Sequence, residues 1–244
     1  VAPGYRPTAC QDHQGPGVTG IFRRAGRIAP ALALLLAGGC SSAGSGNTNY
    51  SQFYQLIKQG WAATMGKIRV TRDQAAAIPY ASLGYSLDDG NQVMLVLATD
   101  ANNELLWTSP SHVVIVTRDG RIIRTLGLPH DLSGFTTPGG PPPSPVQALR
   151  QPFASTRQED FPELGFYGIA VSCHARLVGR QKIMILGQAI TTNRVDENCR
   201  SQKPEWSFVD SYWLDADSGL AWQSRQHINP KGGTIEIQIF RPPG

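Results

Sequence analysis

The stretch HVVIVTRDGRIIRTL, residues 112–126, decides the fold class. Two runs rich in Val, Ile, Leu and Thr flank the pair Asp119-Gly120, and an Asp-Gly pair between such runs is a strong signal for a tight hairpin turn. β-branched residues favour strands over helices. The stretch therefore predicts two antiparallel strands joined by a short turn, and a second turn of this kind is predicted at 88–91.

Strand-like segments continue in both directions from this hairpin. The first group comprises 80–86, 92–98, 105–108, 112–117 and 121–126. The second group comprises 166–177, 182–192, 206–213, 219–228 and 234–240, with a turn at Gly179-Arg180. Between the groups, five prolines and two glycines within 138–145 predict a long surface loop, followed by a helical turn at 146–153.

These segments predict a mainly β fold class: an antiparallel meander that forms a sandwich or a partly opened barrel, with an N-terminal helix. The helix is predicted over 49–65, because Phe53, Leu56 and Ile57 recur with helical spacing. Residues 50–244 are interpreted as a single β-rich domain.

An export-type segment precedes this domain. Arg23, Arg24 and Arg27 come before an apolar run at 28–39, which is about half of the roughly 20 residues that a membrane-spanning helix needs. The run ends in Leu-Ala-Gly-Gly directly before Cys40, and this resembles the lipobox of bacterial lipoprotein precursors. In such precursors the cysteine is joined to diacylglycerol and the chain is cut before it, so Cys40 is the predicted lipidation site.

The lipobox divides the amino-terminal part of the chain. Residues 18–39 are a predicted signal peptide, 40–49 a lipidated flexible tether, and 1–17 a mis-annotated or disordered extension. Several acyl chains would hold the protein stably on a membrane. Ser41 follows the cysteine instead of Asp, which by the sorting rule for Gram-negative lipoproteins indicates the outer membrane.

The charge balance argues against nucleic-acid binding. The whole chain has a formal net charge of +4, but four arginines and one aspartate precede Cys40, which leaves 18 basic and 17 acidic residues. Such a balance lacks the electrostatic footprint of a nucleic-acid binder. Arg118, Arg121 and Arg124 lie close together in sequence and are interpreted as solvated strand residues.

Sequence fingerprints of catalysis and cofactor binding are absent, so no cofactor and no metal are predicted. The segment 215–219 begins like a calcium loop but has Gln226 where the distal glutamate is needed, and it is interpreted as a turn. His174 and His227 are interpreted as structural residues within strands.

Two cysteines, Cys173 and Cys199, follow the anchor. An exported protein lies in an oxidising compartment, so we predict a disulfide between them. The alternative is two separately buried thiols.

Three tryptophans, Trp206, Trp213 and Trp222, are concentrated near the carboxyl end. Aromatic rings stack on sugar faces, which makes these residues candidates for carbohydrate contact. Such residues also fill β cores because they bury a large area, and this interpretation is favoured.

Two long segments, 80–132 and 212–243, resemble the YjbF/GfcB lipoproteins encoded in exopolysaccharide and group 4 capsule loci. The most specific pieces are Asp-Gly-Arg-Ile followed by Gly-Leu-Pro, and Tyr-Trp-Leu-Asp followed by Ser-Gly and Trp-Gln-Ser-Arg-Gln. The resemblance implies a periplasm-facing outer-membrane lipoprotein of a Gram-negative bacterium, built on a large meandering sheet. It also implies a role in producing or exporting surface polysaccharide.

Three functional hypotheses result. The first is a non-enzymatic lipoprotein that assists assembly or export of exopolysaccharide or capsule, through contacts with polysaccharide or secretion-machinery proteins. The second is a half-barrel carrier that binds a lipid or acyl ligand in an apolar cavity. The third is a polysaccharide-modifying enzyme, which needs two converging carboxylates. The spacing of the candidates Asp131, Glu205, Asp210 and Asp215 selects no such pair.

Overall fold

Twelve antiparallel strands make one continuous sheet in the computed structural model, which describes residues 67–244. The strands are β1 (Ser82–Leu87), β2 (Val93–Ala101), β3 (Glu104–Thr108), β4 (Val114–Arg118), β5 (Arg121–Leu126), β6 (Gly134–Thr136), β7 (Phe153–Phe161), β8 (Phe166–Ile185), β9 (Gln188–Ser201), β10 (Trp206–Leu214), β11 (Ala221–His227) and β12 (Thr234–Arg241). The predicted helix at 49–65, the predicted signal peptide and tether, and Cys40 lie outside the described residues.

The sheet consists of two meanders, β1 to β5 and β6 to β12. They are joined where β1 pairs with β12, with Ser82 opposite Arg241 and Leu87 opposite Ile235. The sheet curls until its two edge strands, β5 and β6, are neighbours, and the backbone N–H of Thr125 donates to the carbonyl of Leu132 at 2.9 Å in the connection between them. The fold is therefore a nearly closed antiparallel barrel, which confirms the mainly β prediction. We call the gap between β5 and β6 the seam.

Alternate residues of each strand point into the barrel and form its core. Because each large apolar side chain contributes about 1.5–3 kcal/mol when fully buried, these residues dominate the stability of the sheet. The largest apolar or aromatic side chains that are fully buried are Trp107, Tyr212, Phe161, Leu83, Leu95, Ile115, Leu214 and Ile235.

A short helix, α1 (Arg72–Ala76), precedes β1. Thr71 caps it, since its side chain accepts a hydrogen bond from the backbone N–H of Gln74 and the Gln74 side chain accepts one from the backbone of Thr71. Ile78 packs against Met94 and Val96, which alternate with the inward-facing Leu95 and therefore lie on the outer face. No helix within 67–244 has the length and apolar character to cross a bilayer.

The hairpin of β8 and β9 differs from the prediction. The predicted turn at Gly179-Arg180 is only a bulge between Leu177 and Gly179, and the chain reverses at Leu186-Gly187, where both residues have positive φ. The predicted strand at 182–192 was therefore wrong, because it runs across the true turn. The polar sequence after Thr192 had given no strand signal, although it pairs on both sides.

The region between the two predicted groups also differs. Strands β6 and β7 were not predicted, so the meanders contain five and seven strands instead of five and five. The predicted helical turn at 146–153 is a 3-10 turn at Pro145–Leu149, capped by the Ser144 side chain. β7 was missed because most of its residues are polar or charged, namely Ser, Thr, Arg, Gln, Glu and Asp, and such a composition is typical of a loop.

The predicted disulfide is present. Cys173 and Cys199 are directly opposite each other on β8 and β9, with their Cα atoms 4.1 Å apart, and both side chains face the core. This confirms the predicted bond and excludes two separate thiols.

Candidate functional site: a buried ion cluster beside an open groove

Five charged side chains are buried inside the barrel, and we call them the ion cluster: Arg121, Arg157, Glu159, Glu197 and Asp210. Each is at most 4% exposed. Arg157 lies at the centre. Its Nε donates to Glu159 Oε1 at 2.5 Å, its Nη1 lies 3.5 Å from Glu197 Oε2, and its Nη2 lies 3.6 Å from Asp210 Oδ2. Arg121 donates to Glu197 through Nη2.

The ion cluster connects the two meanders across the barrel interior. Arg121 is the first residue of β5 and belongs to the first meander, whereas its four partners lie on β7, β9 and β10 of the second. Burial of a charge is costly unless the charge is paired, so each member of the ion cluster needs its oppositely charged partners in order to be stable in the core. The pairing between Arg121 and Glu197 therefore ties one half of the sheet to the other.

The tip of the β4–β5 hairpin is held against β11. Gly120 has φ of 80°, and a Cβ at this position would lie 2.4 Å from the Cβ of Ala221. Gln226 on β11 donates through Nε2 to the carbonyl of Gly120 at 2.8 Å and accepts from the backbone N–H of Ile122 at 2.9 Å. These contacts bring Arg121, which lies between Gly120 and Ile122, into the interior.

Aromatic and polar side chains surround the ion cluster. The guanidinium carbon of Arg157 lies 5.3 Å from the ring centroid of Phe135 and 5.8 Å from that of Phe208, which are cation–π distances. His227 donates its backbone N–H to Asp210 Oδ1 at 2.8 Å, and its Nδ1 lies 3.3 Å from the same oxygen. His227 is therefore a structural residue with a partner, as the sequence predicts.

The electrostatics of the ion cluster hold its arginines in the charged form. Burial lowers the pKa of Arg157, but attraction to the carboxylates of Glu159, Glu197 and Asp210 outweighs burial and raises the pKa overall. The same balance between burial and Glu197 raises the pKa of Arg121. Burial also raises the pKa of Glu159, and Arg157 opposes this effect.

An open groove of about 740 Å³ lies at one end of the seam. Its walls are the tips of the β2–β3 and β4–β5 hairpins, the short strand β6 and the proline-rich loop. The lining residues are Asn102, Asn103, Arg118, Asp119, Phe135, Thr136, Thr137, Gly140, Pro141, Pro142, Pro143, Ser144 and Gln147. We call this cavity the seam groove.

Two contacts connect the seam groove to the ion cluster. Arg121 donates through Nη1 to the carbonyl of Pro143 in the groove wall at 3.0 Å. Phe135 lines the groove and lies at a cation–π distance from Arg157. The buried ions therefore fix the position of the groove wall, which gives the ion cluster a structural role at this surface.

The three candidate tryptophans do not form one surface. Trp206 and Trp222 are partly buried against the main core, and Trp206 stacks on Phe208 with ring centroids 4.0 Å apart. Trp213 lies seven residues from Trp206 along β10, roughly 23 Å at about 3.3 Å per residue. It points to the opposite face, where its indole donates to Gln181 Oε1 at 2.8 Å and Arg194 lies over its ring.

Two interpretations from the sequence were wrong. Arg121 was taken as a solvated strand residue, yet it is 3% exposed and paired with Glu197, because the hairpin tip turns into the barrel. His174 was taken as a structural residue but is exposed on β8, opposite Ala154 and Asn198.

Two of the candidate carboxylates accept hydrogen bonds within the turns in which they lie. Asp131 accepts hydrogen bonds from the backbone N–H groups of Gly127 and Leu128. Asp215 accepts from the backbone N–H and the hydroxyl of Ser218, which lowers its pKa. The interpretation of 215–219 as a turn is therefore confirmed.

Cys173, Glu197 and Cys199 place potential metal-ligand atoms within 4.8 Å of one another. The two sulfur atoms are joined in the disulfide, so they are not thiolates and cannot act as the soft ligands that such a metal site requires. Among residues 67–244 this group therefore gives no support for a metal centre.

Sequence reasoning missed most of the ion cluster, although one signal for it was present. β7 carries Arg157 and Glu159 at alternate positions, and β9 carries Glu197 in the same alternation as Val195 and Cys199. Charged residues that share a strand face with apolar residues are candidates for buried pairs. The partners of Arg157 lie 2 to 53 residues away in sequence, so the pattern could suggest buried charges but not their pairing.

Comparison with known proteins adds a family match. A family model described as "Group 4 capsule polysaccharide lipoprotein gfcB, YjbF" matches residues 56–240. The uncharacterized lipoprotein GfcB of Escherichia coli K12 is 26% identical over 176 residues, which are 72% of this chain and 82% of that protein. The uncharacterized lipoprotein YjbF of the same organism is 25% identical over 187 residues, which are 74% of this chain and 85% of that protein.

A solved structure shares the fold. The crystal structure of the hypothetical lipoprotein YmcC from Escherichia coli K12 superimposes with a TM-score of 0.65 at 22% sequence identity. The match covers 80% of this chain and 96% of that one. At this identity the likeness establishes the barrel architecture alone.

Proposed function

The chain belongs to the group 4 capsule polysaccharide lipoprotein family of GfcB and YjbF, and on this premise we propose that it assists the assembly or export of an exopolysaccharide or capsule. In this proposal the protein is an outer-membrane lipoprotein, anchored through Cys40 and facing the periplasm, and it acts through contacts with polysaccharide or secretion-machinery proteins. The observation that carries the proposal is the family match, which extends over the whole barrel from β1 almost to the end of β12.

A non-enzymatic role is supported by the state of the buried carboxylates. Glu159, Glu197 and Asp210 converge inside the barrel, as a glycoside-cleaving pair would, but each lies within an ion pair with Arg157 and is almost fully buried. General acid–base catalysis requires a carboxyl group that reaches the substrate and exchanges a proton with it. These three carboxylates are instead compensating charges for two buried arginines.

The interior of the barrel does not favour the carrier hypothesis. An acyl chain in the lumen would have to occupy the space that the ion cluster and the disulfide already fill. Contact with unsolvated ions would be costly for a hydrocarbon chain, because the ions would lose polar partners. A carrier of this fold would need an apolar lining where this barrel has Arg157 and its partners.

The proposal is tested by deleting the gene and restoring it as wild type, as Cys40→Ser or as Ser42→Ala. Surface and secreted polysaccharide are measured in each strain, and the protein is followed in membrane and soluble fractions. Ser42 lies two residues after Cys40 in the predicted tether, so Ser42→Ala controls for a side-chain change near the predicted lipidation site. We expect polysaccharide to fall on deletion and to be restored by wild type and Ser42→Ala only, with Cys40→Ser leaving the membrane fraction.

Unchanged polysaccharide after deletion would contradict the proposed role. Retention of Cys40→Ser in the membrane fraction would contradict lipidation at this cysteine.

A further inference from the structure

We propose that the seam groove is a binding site for an uncharged glycan segment, so that the protein contacts the polysaccharide at the open end of the seam. The inference rests on the proposed function, since it names the surface that meets the polysaccharide. It assigns the proposed contact with the polysaccharide to two hairpin tips and the proline-rich loop.

The size and exposure of the seam groove suit a chain segment. Its volume of about 740 Å³ falls within the roughly 300–1,000 Å³ of small-molecule sites. Asn102, Asn103, Asp119 and Gln147 on its walls are exposed to solvent. An exposed groove admits an internal segment of a polymer, whereas a closed pocket would admit only a chain end.

The chemistry of the lining fits sugar hydroxyls. Amide side chains such as Asn103 and Gln147 offer both donors and acceptors, and a hydroxyl also donates and accepts. Phe135 supplies an aromatic surface against which the apolar face of a sugar ring can pack. A fatty acyl chain in the same place would cover the amide of Gln147 without offering it a hydrogen bond.

The charges in the groove are balanced and already oriented. Arg118 is paired with Glu104, and Asp119 accepts a hydrogen bond from Asn103 Nδ2 at 3.1 Å. One lining residue is cationic and one is anionic, so the groove has no excess of positive charge to attract a polyanion. An uncharged glycan therefore fits this lining better than an acidic one.

The groove wall is preorganised. Prolines at 141–143 restrict the backbone of the loop, and Arg121 fixes the loop through the carbonyl of Pro143. A wall that is rigid before binding loses little conformational entropy on binding, which favours affinity for a weakly interacting ligand such as a sugar chain.

Binding is tested with the processed full-length lipoprotein purified in detergent. The probe is polysaccharide isolated from the producing cells and cleaved to short oligosaccharides, with heparin as a polyanionic glycan and a fluorescent fatty acid as an acyl ligand. Isothermal titration calorimetry compares wild type with the double variant Arg118→Ala/Gln147→Ala. The matched control is Asn198→Ala/Arg200→Ala, which removes an amide and a guanidinium from the exposed face of β9.

We expect wild type and the control variant to bind the oligosaccharide equally. The groove variant should bind about tenfold more weakly, as expected for the loss of two polar contacts. A thermal unfolding curve like that of wild type would show that the groove variant is folded. Failure of wild type to bind, preference for heparin or the fatty acid, or equal affinity of the two double variants would overturn the proposal.

The gene deletion and the binding measurement together separate this inference from the proposed function. If deletion of the gene abolishes polysaccharide export but the purified protein does not bind the oligosaccharide, the export role stands and the groove proposal fails. If deletion leaves export unchanged, the export role fails whatever the protein binds.

Discussion

Arg157 is the residue on which the interior of the barrel depends most. Its guanidinium group lies within ion-pair distance of three carboxylates, Glu159, Glu197 and Asp210. These carboxylates are removed from water, and Arg157 compensates the negative charge of all three, whereas Arg121 pairs with Glu197 alone. The family match says nothing about this residue, and its role follows from geometry alone.

Replacement of this central cation should be strongly destabilising. For Arg157→Met we expect the free energy of unfolding to fall by about 3–5 kcal/mol, because Glu159 loses its cationic partner and Glu197 and Asp210 lose one of theirs inside the core. Urea denaturation measures the change. Arg200→Met, at an exposed position on β9, is the control and should change the free energy of unfolding by no more than about 0.5 kcal/mol. A loss below about 1 kcal/mol for Arg157→Met would contradict the compensating role.

Asp215 gives a pH-dependent prediction. Hydrogen bonds from Ser218 lower the pKa of Asp215 in the folded protein, so its contribution to stability is present above its ordinary pKa of 3.8 and is lost as pH falls through the lowered value. The difference in free energy of unfolding between wild type and Asp215→Asn should therefore be constant near neutral pH and shrink in the acid range. Asp217→Asn in the same loop is the control, and a similar acid-dependent difference for it would argue against the assignment to Asp215.

At the residue scale, the sequence could indicate which strand positions alternate but not which side chains meet. On an ideal strand the adjacent residues Arg121 and Ile122 would lie on opposite faces. A bulge between Val116 and Thr117 changes the register of β4 and β5, and the hairpin tip folds inward, so both residues are buried. The distance in sequence between Arg121 and Glu197 made their pairing unpredictable from one chain.

Among the elements, the β4–β5 hairpin was predicted with its turn, and the β8–β9 hairpin was not. Asp119-Gly120 is a strong local turn signal, whereas Leu186-Gly187 carries a bulky apolar residue at a positive φ where Asn or Asp is usual. Gly179 instead supplied a misleading signal, because glycine also occurs at bulges. The turn residues thus predicted a hairpin correctly where the turn signal coincided with the position at which the chain reverses.

Two glycine substitutions can separate the effect of close packing at the β4–β5 tip on stability from the effect of its positive φ. Gly120 and Gly165 both have positive φ, but only a Cβ at position 120 would meet another atom, the Cβ of Ala221 at 2.4 Å. Gly165→Ala should lower the free energy of unfolding by about 1–2 kcal/mol through backbone strain. Gly120→Ala should cost about 1–3 kcal/mol more through overpacking. Chemical denaturation measures both changes. Equal losses of unfolding free energy would contradict overpacking, because they would show that the structure around Ala221 adjusts to the added Cβ without loss of stability.

For the whole molecule, the mainly β class and the antiparallel meander could be predicted because they depend on local periodicity and turns. The sequence predicted a sandwich or a partly opened barrel but could not decide between them, since the single curled sheet depends on pairing between β1 and β12, which lie at opposite ends of the described chain. The seam groove was beyond prediction for the same reason. Its walls come from hairpin tips and a loop that only the curvature of the sheet brings together.

The position of β12 predicts an all-or-none dependence on one strand. β12 lies between β1 and β11, so a chain without residues 234–241 would leave two partial sheets with no ladder of paired strands between them. We expect this deletion to abolish the cooperative unfolding transition measured by circular dichroism in urea. Deletion of residues 242–244, which follow β12, is the control and should leave the transition unchanged. A cooperative transition in the protein lacking 234–241 would show that the meanders fold separately.

The location of the last strand in the middle of the sheet also delays the completion of folding. A chain that emerges from a pore with its amino-terminal part first presents β1 with one edge unpaired, and that edge waits until almost the whole polypeptide has followed. During this interval the exposed edge can pair with another chain or be covered by a chaperone. The slowest step of maturation is therefore expected to be the arrival of β12, and the rate of emergence would govern the yield of correctly folded protein.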